Sequence, residues 1–247
     1  MHSTASIIRF VLIMTSIVAL ILAALQNGLK PLHNKNEALY SKKATLGAVS
    51  NHIDGELSSL KPEEIQEIFN NQVEQKVVDS SGKVYTKEEL IDLGVKEGLA
   101  ENIDLAKEQK KPADKRLMPV YKFTKSDGSE YYILYARGKG LWDEIWGNIA
   151  LESDINTIAG VSFDHKAETP GLGAEIKENK SWVRQFIGKK IYDDGELRSV
   201  TVRKGGAKND TYEVDGISGA TITGDGVTDM LEEDLKAYEP YLKTLKG

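Results

Sequence analysis

Asp215-Gly216-Ile217-Ser218-Gly219-Ala220-Thr221-Ile222-Thr223 is the stretch on which the reading of this chain turns. Three small residues, Ser218, Gly219 and Ala220, precede a threonine, so the backbone can approach a bulky group closely and leave the Thr221 hydroxyl accessible. Asp215 stands six residues upstream, where a carboxylate can receive a proton or hold a metal ion while that hydroxyl attacks a phosphorus. The residues alone leave a second reading open. Gly, Ser, Asp and Thr are also what a turn and N-cap use, here between a strand and a helix expected to start near Gly226.

DGISGAT resembles the flavinylation signature of the FMN-binding domain family, in which such a segment marks where a flavin transferase attaches FMN through a phosphoester. The resemblance implies that Thr221 carries the flavin, with Asp215, Ser218, Gly219 and Ala220 completing the signature. Thr223 lies two positions past the matching one and is the less favoured acceptor. The wider chain resembles the C subunits of the sodium-translocating NADH:quinone reductases. That likeness implies an α+β fold: one N-terminal transmembrane helix, then an FMN-binding domain with a mostly antiparallel twisted sheet and flanking helices.

Downstream, Val227, Met230, Leu231, Leu235, Tyr238, Tyr241, Leu242 and Leu245 recur at helical spacing, with Pro240 placed to kink or end the helix. An N-terminus near Gly226 would turn unsatisfied amides toward a phosphate on Thr221. Upstream, Leu197 to Arg203 alternates as a strand does, and Trp182 to Ile187 reads as a short helix. Lys204 follows beside Gly205 and Gly206. A solvated turn lysine needs no further explanation, but the resemblance makes Lys204 a flavin contact that offsets phosphate charge.

The second informative stretch is His165-Lys166-Ala167-Glu168-Thr169-Pro170-Gly171-Leu172-Gly173. Proline and two glycines set a rigid turn, and Thr169 with nearby amides can hold the polar edge of an isoalloxazine or its ribityl chain. A plain surface loop needs nothing more. His165 with Glu168 lacks a third ligand for zinc. The segment resembles the family's ETPGLG loop, which implies Glu168, Thr169, Gly171, Leu172 and Gly173 beside the flavin.

Further upstream, the tract from Arg137 to Gly147 mixes glycines with Trp142 and Trp146. Such rings either pack under a sheet or wall a planar aromatic ligand. The tract resembles the family's GLW segment, which implies Gly140, Leu141 and Trp142 near the flavin. GLW, ETPGLG and DGISGAT in that order, behind one membrane span, are far more specific than any one alone.

The remaining segments set the frame. Val120 to Phe123 and Tyr131 to Ala136 flank Asp127-Gly128, a hairpin signal, and Ile155 to Phe163 reads as another strand. Before Leu117, Ala44 to Val49 reads as a short strand and Lys61 to Phe69 as a helix opened by Pro62. Lys76 to Asp79 and Lys83 to Tyr85 form a small hairpin around Ser80-Ser81-Gly82, and the charge-rich residues 87–115 are peripheral. The expected organisation is a tail over 1–9, a membrane helix over 10–29, a mixed region over 30–116 and an FMN-binding domain over 117–247.

Phe10 to Leu25 is free of charge, and uncharged residues carry the run to Leu29. As a helix, residues 10–29 span about 30 Å, the thickness of a bilayer core. A cleaved signal peptide is the rival, with Arg9 ahead of the run and Ala23-Ala24 near its end. The run is long for that role and lacks a clear cleavage site. Lys30, Lys35, Lys42 and Lys43 after the span favour a cytoplasmic domain by the positive-inside count. The resemblance implies the opposite side, a flavin domain on the periplasmic face of the bacterial inner membrane.

Composition narrows the function. With 247 residues, 40% of them hydrophobic, and a net charge of −6, the chain has a substantial core and no basic block for nucleic acid. It has no cysteine, which excludes disulfides, thiolate catalysis and cysteine-held iron–sulfur or zinc centres. There is no GxGxxG fingerprint, so NADH is expected to react on another subunit. The resemblance implies an electron relay with one covalent FMN, working toward quinone beside neighbouring subunits and matured by a flavin transferase. Two alternatives stay open: the G subunit of an ion-translocating ferredoxin:NAD oxidoreductase, which shares ETPGLG, and an anchored non-redox binding protein. The GLWDEIWG tract argues against the first.

Overall fold

Alternating apolar residues between Val73 and His165 build a five-stranded antiparallel meander in which each strand pairs with the next. Its strands are β1 (Val73–Val78), β2 (Met118–Thr124), β3 (Glu130–Lys139), β4 (Glu144–Leu151) and β5 (Ile158–His165). The β2–β3 turn closes as expected around Gly128, whose φ of 88° suits glycine. β1 comes from the segment before Leu117, so the sheet draws on both sides of that boundary.

The computed structural model describes residues 3–246, in two compact units, one ending at Tyr40 and the other beginning at Ser41. Helix α1 (Thr4–Gly47) makes up the first unit and enters the second. In the first, apolar side chains from Ile7 to Leu32 are exposed, and the most apolar 18-residue window of the helix has a mean hydropathy of 2.6, enough for a single membrane crossing. Ala44 to Gly47, expected as a strand, instead continue the helix. Extending a formed helix needs no new nucleus, and Leu46 and Val49 both reach 0% exposure from there.

The second unit opens with short, well-capped helices. Pro62 begins α2 (Pro62–Gln72), where the Glu64 carboxylate accepts the Lys61 amide at 2.7 Å. Thr86 and Glu89 form a reciprocal capping box for α3 (Lys87–Asp92), and Asp104 caps α4 (Leu105–Glu108). The turn at Ser80-Ser81-Gly82 is present, but its return arm makes only one bridge, Val78 to Val84.

After the meander, α5 (Glu175–Glu178) and α6 (Lys180–Arg184) lie against β5, where Trp182, Phe163 and Phe186 pack at centroid distances of 5.1–6.0 Å. The strand expected over Leu197 to Arg203 is broken. A two-residue pair, β6 (Tyr192–Asp193) with β7 (Glu196–Leu197), precedes β8 (Thr201–Arg203). Between them the amides of Arg198 and Ser199 both donate to the Ile191 carbonyl, and Ser199 turns to a φ of 58°. β8 then pairs in parallel with β9 (Glu213–Asp215), which delivers the chain into DGISGAT.

The last helix, α7 (Thr221–Leu245), lies across β3 and β8. Its apolar stripe is buried from Val227 to Leu242, each such side chain contributing about 1.5–3 kcal/mol. It starts at Thr221, not near Gly226, and runs through Pro240. The glycines that read as a turn are inside it because they meet other backbone and side chains. A Cβ on Gly226 would lie 2.1 Å from the Lys139 carbonyl oxygen, and one on Gly224 would lie 3.1 Å from Val202. Tertiary packing here overrides glycine's poor helix propensity.

Gly226→Ala is therefore expected to lower the free energy of unfolding by about 1–3 kcal/mol by overpacking, although alanine favours helix by about 1 kcal/mol. Urea unfolding of the detergent-solubilised chain checks this; an unchanged or raised midpoint would contradict the close approach.

Candidate functional site

Parallel pairing of β8 with β9 brings Lys204 and DGISGAT to one cleft of about 570 Å³, within the size range of cofactor pockets. Its wall includes Lys204, Gly205, Gly206, Asp215, Ser218, Gly219, Ala220 and Thr221. Gly216 makes the entry possible: its amide donates to the Arg203 carbonyl at 2.8 Å, and a Cβ there would lie 2.9 Å from the same oxygen. Asp215 acts locally, accepting the Ala207 amide at 2.8 Å and so closing the Lys204 turn. The segment is pinned from behind by α6, whose Trp182 indole donates to the Asp215 carbonyl at 2.6 Å. The Gln185 side chain accepts the Asp215 amide at 2.8 Å.

Thr221 is the first residue of α7 and half-buried on the cleft wall. Ala220 occupies the N-cap and supplies no side-chain acceptor, so the positive end of a 25-residue helix faces the cleft without a side-chain cap. Thr223, two residues on, is 0% exposed, and its hydroxyl donates to a Glu168 carboxylate oxygen at 2.6 Å. The two threonines differ sharply in access.

The ETPGLG loop meets this turn through its backbone, and the GLW loop joins it through the Glu168 side chain. Gly219, at a φ of 80°, comes so near Gly171 that a Cβ would lie 2.9 Å from its carbonyl oxygen and 3.8 Å from Leu172. The ETPGLG loop is held by Glu175, whose carboxylate accepts the amides of Gly171 and Gly173. In the GLW loop the Gly140 amide donates to the Asp143 carbonyl at 2.8 Å, closing a turn. Trp142, at 63% exposure, does not pack under the sheet. Trp146 does lie in β4, with the Arg137 guanidinium 5.3 Å over its ring. The loop's charges are tied down, Asp143 to Lys166 and Glu144 to Arg137.

Glu168 joins these parts. It is 5% exposed and accepts the Trp142 amide at 2.9 Å besides the Thr223 hydroxyl. Burial pushes its pKa up, but the hydrogen bonds from Thr223 and from the amides of Trp142, Asp143 and Leu141 outweigh burial and hold it below the usual range. His165 is not arranged with it as a metal ligand; its Nδ1 accepts the Glu168 amide at 3.1 Å.

The FMN-binding domain family model matches residues 140–236. The C subunit of the Na(+)-translocating NADH-quinone reductase from Neisseria meningitidis is 32% identical over 96% of this chain and 92% of its own length. The chain belongs to this family of C subunits. The crystal structure of the C subunit from Parabacteroides distasonis shares the fold with a TM-score of 0.71 at 32% identity, covering 87% of this chain and 96% of that one. The Shewanella oneidensis NqrC structure gives 0.66 at 27% identity, covering 85% and 98%.

Within the family frame, the site residues inferred from sequence fall into two groups. Asp215, Ser218, Gly219, Ala220, Thr221 and Lys204 line the cleft. Gly140, Leu141, Trp142, Glu168, Thr169, Gly171, Leu172 and Gly173 lie in the two adjoining loops, joined to it by Glu168 and Gly171. An FMN phosphate suits the open helix end and Lys204, and the exposed Leu141, Trp142, Leu172 and Ile222 offer apolar surface for a flat ring. Sequence reading missed Trp182 and Gln185. An Asn179 cap three residues before Trp182 marks the helix, but nothing in the sequence ties it to Asp215.

Two residues before Asp215, Glu213 accepts from Arg203 and from the amides of Lys208 and Asn209, and the Arg203 guanidinium is the main cause of its pKa falling to about 2. A carboxylate lowered on folding adds stability that is present above its unfolded pKa of about 4.3 and lost as pH falls through about 2. Glu213→Gln should flatten the acid limb of the stability curve across that window. An acid limb parallel to the wild type would show that the pairing adds nothing.

Proposed function

We propose that this chain relays electrons toward quinone through one FMN attached to Thr221 as a phosphoester, within a Na(+)-translocating NADH:quinone reductase. The observation that carries the assignment is the position of Thr221, half-exposed on the cleft wall at the first residue of α7 within DGISGAT. Thr223 is buried and committed to Glu168. As a member of its family the chain is an electron-transfer subunit of a multisubunit translocase.

Bound FMN supplies electron exchange one electron at a time, and the protein supplies placement and tuning of potential. The first-turn amides of α7 and the Lys204 ammonium favour the phosphate charge at the attachment point. Gly219 and Ala220 keep the approach to the Thr221 hydroxyl free of side-chain bulk. The exposed Trp142, Leu172 and Ile222 would hold the apolar ring, and Thr169 would meet its polar edge. NADH reacts on another subunit, since this chain carries no dinucleotide fingerprint. A flavin transferase makes the phosphoester.

The single span anchors the chain in the inner membrane with the flavin domain on the periplasmic side. A translocated domain of this size overrides the lysines that follow the span. A reporter fused after Gly247 should be active only when it functions in the periplasm. Cytoplasmic-only activity would reverse the orientation.

For the attachment itself, peptide mass spectrometry after co-expression with a flavin transferase should place the added mass on Thr221. Thr221→Ala should abolish covalent flavin, and mass on Thr223 would overturn the assignment.

A further inference from the structure

Both oxygens of the Glu168 carboxylate face protein donors. Oε1 accepts the Trp142 amide at 2.9 Å, with the Asp143 and Leu141 amides turned toward the same carboxylate. Oε2 accepts the Thr223 hydroxyl at 2.6 Å. The enclosure is close enough to exclude side chains on two neighbours. A Cβ on Gly140 would lie 2.6 Å from Oε1, and one on Gly173 would lie 2.5 Å from Oε2 and 2.6 Å from the Thr223 hydroxyl. Glycines at the head of GLW and the end of ETPGLG therefore make room for a carboxylate, not for a cofactor. Glu168 is also absent from the cleft wall, which holds Thr221.

We propose that Glu168 is a positioning residue and not a flavin ligand: its buried anion latches the GLW loop to the first turn of α7 and so fixes the Trp142 ring relative to the group on Thr221. The latch is charge-assisted: the loop presents only N–H donors, and the Thr223 hydroxyl, which can donate or accept, donates to the carboxylate here. Glu168→Gln removes the negative charge and one of the two acceptor oxygens, so the charge-assisted hydrogen bonds to the loop amides weaken with little change in volume. Trp142, 63% exposed, has no burial of its own to hold it. Its placement then depends on its backbone.

The test has one arm without flavin and one with it; only the second rests on Thr221 carrying FMN. In the flavin-free full chain in detergent, Glu168→Gln should speed hydrogen exchange of the Leu141, Trp142 and Asp143 amides at least tenfold, with the paired amides of β3 and β4 unchanged. Thr223→Val should move the same amides in the same direction, and Thr223→Ser, which keeps the hydroxyl, should restore wild-type exchange. The threonine pair decides the matter if Glu168→Gln fails to fold. In the flavin-loaded chain, Glu168→Gln should retain the mass on Thr221, shift the flavin midpoint potential and relieve the quenching of Trp142 fluorescence, read against Trp142→Phe. Unchanged exchange at residues 141–143 in the variants would overturn the latch. Altered exchange with an unchanged potential and unchanged quenching would overturn its positioning role. Loss of the Thr221 label in the wild type would instead reject the attachment reading and leave the exchange arm to judge the latch.

Discussion

The close approach of α7 to the end of β3 is the contact on which the site depends. With no side chain on Gly226, the helix comes close enough that a Cβ there would touch the Lys139 carbonyl oxygen. That contact holds the first turns of the helix against the sheet, and Thr221 is its first residue. It also brings the start of α7 beside the GLW loop, which follows β3 directly. Tyr238 strengthens the same packing further along, donating to the Pro119 carbonyl at 2.8 Å from a 1% exposed position. A buried hydroxyl with its partner made stabilises modestly, while the partner left alone costs about 1–3 kcal/mol.

Around this helix start the three motifs perform different tasks. DGISGAT supplies the proposed acceptor, Thr221, and a backbone with little side-chain bulk, pinned from behind by Trp182 and Gln185. ETPGLG supplies a rigid loop whose Gly171 carbonyl packs on Gly219. GLW supplies the exposed ring of Trp142. Electrostatics at the helix end favour an anion, because Ala220 leaves the cap position without a side-chain oxygen. A serine or aspartate there would satisfy the helix and compete with a phosphate.

The sequence made β2, β3, β5 and the long final helix legible through period-two and period-3.6 patterns, while β4, which reads as a glycine–tryptophan tract, was not legible. The sequence singled out Thr221, the proposed acceptor, through a motif. The start of α7 was not legible: Gly224 and Gly226 carry the local signature of a turn, and only contacts with Val202 and Lys139 explain them inside a helix. Ala44 to Gly47 misled for the related reason that a short β-like run says nothing about the long helix already entering it. Leu197 to Arg203 alternates correctly, yet two amides sharing the Ile191 carbonyl break the strand. Gln185 and Glu213 carry no signal at all, since ordinary polar residues gain their role only from distant backbone groups.

The central claim is that the flavin on Thr221 lies between NADH oxidation and quinone reduction. Purified complex carrying Thr221→Ala, compared with wild type at matched amounts of every subunit, tests it directly. The account predicts that NADH oxidation by an artificial acceptor at the nucleotide-binding subunit continues while quinone reduction and sodium pumping fall together. Normal quinone reduction by the complex without this flavin would contradict it.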